Sequence, residues 1–342
     1  MMPHLGKRLQ FFLARNGTLL GLVLLVLIFT ALNPSFLTWR NAKNIGQAVS
    51  ELGVVAVPLA LLVIGGAVDL SVGSVASMAG VIGGQVMLST GSAILGILAG
   101  LGVGAVAGAI NGALVCFANL NSIVVTLGSL SAWGGLALYV TDGQTVAGLP
   151  DDFTGLAEIT ILGIPLEIFI LAAAIVYGFV ILTRMPYGRR LYAVGGNSRA
   201  SFLMGVPVQR VRFLMFVQVG IAAAIGGLML SAKLSAATPI TGQGLELNAL
   251  TVVLLGGVAF AGGMGRISGV VAGLFFVGVL RDGLVVTDTS QFLQQVFLGL
   301  TLIAAVAIDD TIRQLAHRAW TSSIAEPEPD AVTAQSALGN SD

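Results

Sequence analysis

The chain has 342 residues, 56% hydrophobic and only 9% charged, and its sixteen Lys and Arg balance sixteen Asp and Glu to a net charge of zero. A soluble globular domain carries about 25% charged residues, so this deficit excludes a soluble fold, and the charge balance leaves no case for a nucleic-acid partner. The composition predicts an all-α polytopic membrane protein in contact with lipid, and its 46 glycines suit helices packed closely through small residues.

At the N-terminus, residues 1–17 carry Lys7, Arg8 and Arg15 ahead of an apolar stretch, 18–32. No small-residue cleavage pattern follows, and the chain continues NPSFLTWRN, so the stretch reads as a first membrane helix and not a signal peptide. A membrane helix needs about 20 apolar residues. On that ruler ten spans are predicted, at 18–32, 48–66, 73–89, 92–117, 122–140, 165–183, 213–231, 248–261, 267–286 and 291–309. Ten spans put both termini on one side, and Lys and Arg concentrate in cytoplasmic loops. With the N-terminus in the cytoplasm, all of the basic residues except Arg40, Lys43, Lys233 and Arg281 fall inside. The loop 141–164, with Asp142, Asp151, Asp152 and Glu158 and no base, falls outside. The predicted organisation is a cytoplasmic segment 1–17, a membrane domain 18–310 and a cytoplasmic tail 311–342. The tail is polar, acidic and Pro-containing from Thr321, a composition that stays disordered.

Two glycine-rich breaks interrupt the apolar runs, one at 65–74 and one at 256–266. Each is either a tight turn at the interface or a discontinuous helix beside a pathway, since irregular backbone at membrane depth must be buried in protein or line a wet cavity. In the first, Asp69 is followed by Ser71, Gly73 and Ser74. A carboxylate at depth would be costly and functional. The predicted topology places Asp69 near the cytoplasmic face instead, where capping the next helix is the favoured role.

The most basic segment is 184–212, with Arg184, Arg189, Arg190, Arg199, Arg210 and Arg212 and no acid. Within it Asn197 can cap a short helix, 198–204, that Gly205 and Pro207 stop. Two turns are too few to be stable alone in water. This helix exposes Ala200, Phe202, Leu203 and Met204 and needs a surface to dock on, which suggests a handle for a soluble partner; a plain cytosolic loop is the alternative.

Motifs for covalent chemistry are absent. There is no G-x-x-x-x-G-K-[ST], no G-x-S-x-G and no H-E-x-x-H, so the chain binds no ATP through a P-loop and implies no cofactor or metal of its own. The single Cys116 and the terminally placed His4 and His317 argue against a thiol or imidazole site in the membrane. Intramembrane acids are few: Glu51, and Asp282 beside Arg281, which reads as a rim ion pair. Neutral hydrogen-bonding residues do occur in the spans, and Gln47, Asn111, Asn121 and Thr126 are candidates for a path taken by a neutral polyhydroxylated solute. Each of them could equally glue helices together.

These residues resemble one family. GGAVDLSVGSVASMAG (65–80) is similar to the signature after the second helix of sugar-transporting ABC permeases of the ribose, xylose and arabinose type. NGALVCFANLNSIVVTLGSL (111–130), YGRRLYAVGGNSRASFLMGV (187–206) and the block 234–273 resemble further segments of the same family, in order, over about residues 20–310. The resemblance implies a type II importer-like permease fold in the bacterial inner membrane. It implies a second permease subunit, expected to be a copy of the chain, ATP-binding subunits beneath, and an extracytoplasmic sugar-binding protein above. Gly195, Gly196, Asn197, Ala200 and Gly205 match the family's coupling motif, and Asp69, Leu70, Ser71, Gly73 and Ser74 its signature turn. Ser198-Arg199-Ala200 departs from the Glu-Ala-Ala of many members, so the partner is expected to present an acid to Arg199.

The resulting expectation is a non-enzymatic permease subunit of an ATP-driven importer for a monosaccharide or polyol. A secondary carrier or channel for a small neutral polar solute is the first alternative; an intramembrane enzyme and a purely structural subunit are weaker ones.

Overall fold

A computed structural model describes residues 3–305 and residue 307, with side chains described from Gly17 onward. The tail 311–342, the end of the span expected at 291–309 and the side chains of Lys7, Arg8 and Arg15 lie outside the described residues.

Local chemistry sets many of the helix ends. α1 (Pro3–Leu32) stops at Asn33, whose side chain caps a 3-10 turn. Thr38 caps α2 (Trp39–Ala48) by accepting the Asn41 amide, and α3 (Ser50–Ile64) follows after a 50° bend at Val49. α4 (Val72–Thr90) ends at Gly91, which takes the left-handed conformation that an L side chain resists. Ser92 caps α5 (Ala93–Cys116), and Asn121 caps α6 (Ser122–Val140), each satisfying amides that a first turn leaves open. An excursion over 141–165 holds β1 (Val146–Ala147), the short α7 (Asp151–Thr154) and a hairpin of β2 (Thr160–Ile161) with β3 (Ile164–Pro165). α8 (Leu166–Thr183), α9 (Pro186–Gly196), α10 (Ser198–Leu203) and α11 (Val208–Lys233) follow. β4 (Ala236–Ala237) pairs antiparallel with β1, and α12 (Leu245–Leu255), α13 (Ile267–Val286) and α14 (Gln291–Ala305) complete the described chain.

Among the described residues, six helices are long and apolar enough to cross a membrane: α4, α5, α6, α8, α11 and α13. A seventh span results if the bent pair α2 and α3 is one broken span. α1 from Gly17, α12 and α14 are apolar but shorter. The span expected at 248–261 is helical only to Leu255, because Gly256 and Gly257 end it.

The molecule has two distinct faces. The excursion 141–165, the β1–β4 pair and the Lys233–Glu51 ion pair share one, here the loop face. The opposite, basic face carries α9 and α10, where Arg212 donates from Nε to the Gly65 carbonyl. α3 runs between the faces as the central helix. Only Leu52 among its residues escapes full burial, because α8, α11, α12 and α13 all pack around it. Beside it, α5 and α11 approach backbone to backbone. A Cβ on Gly104 would lie 2.3 Å from the Gly220 carbonyl oxygen, and one on Gly108 2.3 Å from that of Phe216. In lipid, close approach through small residues supplies the packing that hydrophobic burial supplies in water.

The two expected breaks resolve differently. The second, 256–266, lies at the basic face: the Gly263 amide donates to the Ile64 carbonyl at 2.8 Å, and Gly262 lies against Gly66. The first is interior. After α3 reaches the basic face, residues 65–71 lead the chain back inward, and α4 starts there and runs to the loop face, where Gln85 reaches the Val140 carbonyl. At the other side, 234–244 leads inward from the end of α11, and α12 runs to the basic face. The starts of α4 and α12 meet: a Cβ on Gly73 would lie 2.0 Å from Glu246 Oε2 and 2.4 Å from the Gly242 carbonyl oxygen, and the Gly242 amide donates to Ser77 Oγ at 2.9 Å.

Candidate functional site

Polar chemistry gathers at three places. The first is the interior turn between α3 and α4. Asp69 is 1% exposed. Its Oδ1 accepts the Ser71 amide at 2.8 Å and the Ser71 hydroxyl at 2.6 Å. Asn111 Nδ2, on α5, donates to Ser71 Oγ at 2.8 Å and to Asp69 Oδ2 at 3.3 Å, and the Ser129 hydroxyl, on α6, donates to Asn111 Oδ1 at 2.5 Å. Asn111 lies about 7 Å of helix before the end of α5, and Ser129 about 10 Å into α6, at 1.5 Å per residue. Asp69 is therefore not the face-level cap that the sequence favours. It does hold the amide two residues on, but it sits at depth and ties three elements together. Ser74 is not one of its partners; the Ser74 hydroxyl donates to the Ser71 carbonyl at 2.9 Å. Gly73 supplies space for Glu246, not a hydrogen bond.

The candidate path residues do not come together. Asn111 belongs to the Asp69 network. Asn121 spends its carboxamide oxygen on the amides of Ile123 and Val124, and the Thr126 hydroxyl, fully buried, returns to the Ser122 carbonyl at 2.8 Å. Gln47 is far from these, at the loop-face end of α2.

The second place is a polar cavity of about 340 Å³ between α3, α11, α12, α13 and α14, toward the loop face. Thr241, Gln243, Asn248, Arg281 and Asp282 line it, with Glu51 at its edge. The expected ion pair between Arg281 and Asp282 does not form. Asp282 Oδ2 instead accepts from Asn41 Nδ2 at 2.7 Å, and the ion pair found among the described residues joins Lys233 Nζ to Glu51 Oε1 at 2.8 Å. The cavity falls in the usual range for small-molecule sites, about 300–1,000 Å³. Its mix of amide, hydroxyl, guanidinium and carboxyl groups offers donors and acceptors together, as a polyhydroxylated solute requires. Sequence reasoning missed Thr241, Gln243 and Asn248; the signal was the polar cluster TGQGLELN just ahead of an apolar run.

The third place is α10 on the basic face. Asn197 Oδ1 accepts the Ala200 amide at 2.9 Å, and Gly205 closes the helix at φ +81°. Ser201 faces inward, whereas Phe202, Leu203 and Met204 are 69%, 77% and 84% exposed. A groove of about 740 Å³ runs beside them, lined by Asn119, Arg199, Phe202, Arg210 and Arg212. The paired glycines ahead of the helix differ in kind. A Cβ on Gly195 would lie 1.8 Å from the Ile64 carbonyl oxygen and 2.5 Å from the Gly263 amide nitrogen, while one on Gly196 meets nothing within 4 Å.

Comparison with known proteins gives a consistent result. Residues 41–306 match the family model described as branched-chain amino acid transport system / permease component. The ribose import permease protein of Bacillus subtilis is 34% identical over 307 residues, 89% of this chain and 95% of that protein. The L-arabinose transport system permease protein of Escherichia coli is 35% identical over 302 residues, 88% of this chain and 92% of that protein. The D-allose transport system permease protein of Escherichia coli is 35% identical over 303 residues, 87% of this chain and 92% of that protein. No solved structure matches the chain.

Proposed function

This chain belongs to the branched-chain amino acid transport system / permease component family, and from that membership we propose that it is the membrane subunit of an ATP-driven importer for a monosaccharide or related polyol. The sugar named for each of the three relatives supports the substrate class. On this reading the chain crosses the inner membrane ten times with both termini in the cytoplasm. The basic face is cytoplasmic, as the concentration of arginine there favours, and the loop face is extracytoplasmic. Two copies pair, a binding protein delivers sugar at the loop face, and ATP hydrolysis happens on a separate subunit.

The observation that carries the reading is α10. A helix of six residues keeps three large apolar side chains in water on a basic surface. Exposed apolar area of that kind marks a protein-docking site. The groove beside it, with Arg199, Arg210 and Arg212, suits acidic side chains of the docked subunit. Closure of the ATP-binding subunits would pull on α10. The pull passes through Gly195 to the carbonyl end of α3 and the 256–266 break, and so reaches both interior turns. The chain performs no covalent step.

The test is co-purification from gently solubilised membranes. Arg199→Glu is expected to release the ATP-binding subunit while leaving the yield and melting of the chain unchanged, since Arg199 is solvent-exposed. An ATP-binding subunit retained in full by Arg199→Glu, with uptake intact, removes the assignment of α10.

The polar cavity is the place where this reading puts the sugar on its way through. Asn248→Leu and Gln243→Leu are each expected to lower uptake about tenfold through a lost hydrogen bond to substrate, with subunit assembly preserved. Uptake at the wild-type rate in both variants would move the path elsewhere.

A further inference from the structure

We propose that the seam between α8 and α11 is a lipid site, holding one acyl chain of phosphatidylethanolamine with its ammonium group on Glu167. α8 and α11 both pack on α3 and leave a gap between them. Two cavities fill that gap, about 160 Å³ at the loop-face end and about 370 Å³ further along, and both are lined by Ile170 and Ile225, so they form one continuous groove. Its walls are apolar along the whole length, with Leu101, Phe153 and Met229 at the loop-face end and Val54, Pro58 and Ala174 beyond.

Polar groups occur only toward the groove's two ends. At the far end the Tyr177 hydroxyl donates to Gln218 Oε1, so that pair is satisfied internally. At the loop-face end is Glu167, 4% exposed, with neither carboxylate oxygen hydrogen-bonded. The nearby ammonium, Lys233, is already taken by Glu51 at 2.8 Å. Two carboxylates therefore share one cation, and a buried carboxylate without a partner is strongly unfavourable. A second ammonium donor would complete the set.

Length selects the rest of the ligand. Glu167 and Tyr177 are ten residues apart on α8, about 15 Å of helix, which is half of a hydrocarbon core about 30 Å thick. The groove is thus one leaflet deep, dry, and capped at the headgroup level by an unpaired acid. A phospholipid with a primary ammonium headgroup matches all three features. Phosphatidylglycerol, which brings a negative charge to Glu167, does not. In this account the lipid wedges α8 against α3 and the loop-face segment 151–157, which roofs the site through Phe153.

The test uses the full chain in nanodiscs made from equal parts phosphatidylethanolamine and phosphatidylglycerol. Lipids retained after transfer to detergent are then counted by native mass spectrometry. The wild type is expected to keep one phosphatidylethanolamine per chain. Glu167→Gln, which preserves shape, is expected to lower that retention about tenfold by removing a charge-assisted hydrogen bond. Ala174→Trp, which fills the groove below the headgroup, is expected to abolish it while Glu167 stays in place. Equal retention of both lipids by the wild type, or undiminished phosphatidylethanolamine on Glu167→Gln, overturns the proposal. So does cross-linking of two chains through Ala173→Cys, which would show a second copy seated in the seam. None of these readouts depends on transport, so a failure here is distinct from a failure of the importer reading.

Discussion

Gly195→Ala is expected to cripple folding, with a loss of about 3 kcal/mol or more, while Gly196→Ala is expected to leave the protein unchanged. The two positions are neighbours in one helix, yet only the first is where three backbones converge. The added methyl would sit 1.8 Å from the Ile64 carbonyl oxygen and 2.5 Å from the Gly263 amide nitrogen. Those two groups are hydrogen-bonded to each other at 2.8 Å. The methyl therefore has to push α9 away from α3 and part that bond. Overpacking of this kind costs about 1–3 kcal/mol, and an orphaned buried amide adds about 1–3 kcal/mol. For a chain of this size the melting temperature in detergent should fall by about 10 °C. Equal melting of the two variants would show that the junction between α9, the end of α3 and the 256–266 break does not hold the basic face together.

Asp69→Ala is expected to have the second large effect. It removes the acceptor for the Ser71 amide, the Ser71 hydroxyl and one arm of Asn111. With each buried donor left unpaired costing about 1–3 kcal/mol, the loss should reach about 3–5 kcal/mol. Asn111→Leu alone strands Ser129 and Asp69 and should cost about 2–4 kcal/mol. Because both substitutions break the same network, the double variant should be far less destabilised than the sum. Thermal unfolding of the two single variants and the double variant checks this. Strict additivity would mean that Asp69 and Asn111 act separately, and the interior turn would lose its role as a structural hub.

The outline of this architecture is readable in the sequence, because its signals are local. Apolar runs place the helices to within a few residues at α5, α6, α8 and α13. The cap at Asn197 and the stop at Gly205 place α10, since side chain and backbone partner are three residues apart. What escapes is whatever depends on distant pairing. Glu51 and Lys233 are 182 positions apart, and Asn41 and Asp282 are 241 apart, so the adjacent Arg281 was the misleading choice of partner. Asp69 reads as a surface cap because nothing local reveals that 65–71 turns back into the bundle. Gly195 and Gly196 look alike until Ile64 and Gly263 are seen against one of them. Asn121 and Thr126 read as path residues, but both are satisfied by their own helix, which a list of polar positions in spans cannot show. The polar cavity drew on α3, α12 and α13 together, and only the fold brings those elements to one place.

The measurement that bears most directly on the central claim is solute uptake into vesicles. The chain would be reconstituted alone, with its ATP-binding subunit, and with that subunit plus the sugar-binding protein, then offered labelled monosaccharides with ATP enclosed. The importer account predicts accumulation only in the complete assembly, dependent on ATP hydrolysis and blocked by vanadate. Accumulation by the chain alone, driven by a proton or sodium gradient and indifferent to vanadate, would contradict it and make the protein a secondary carrier.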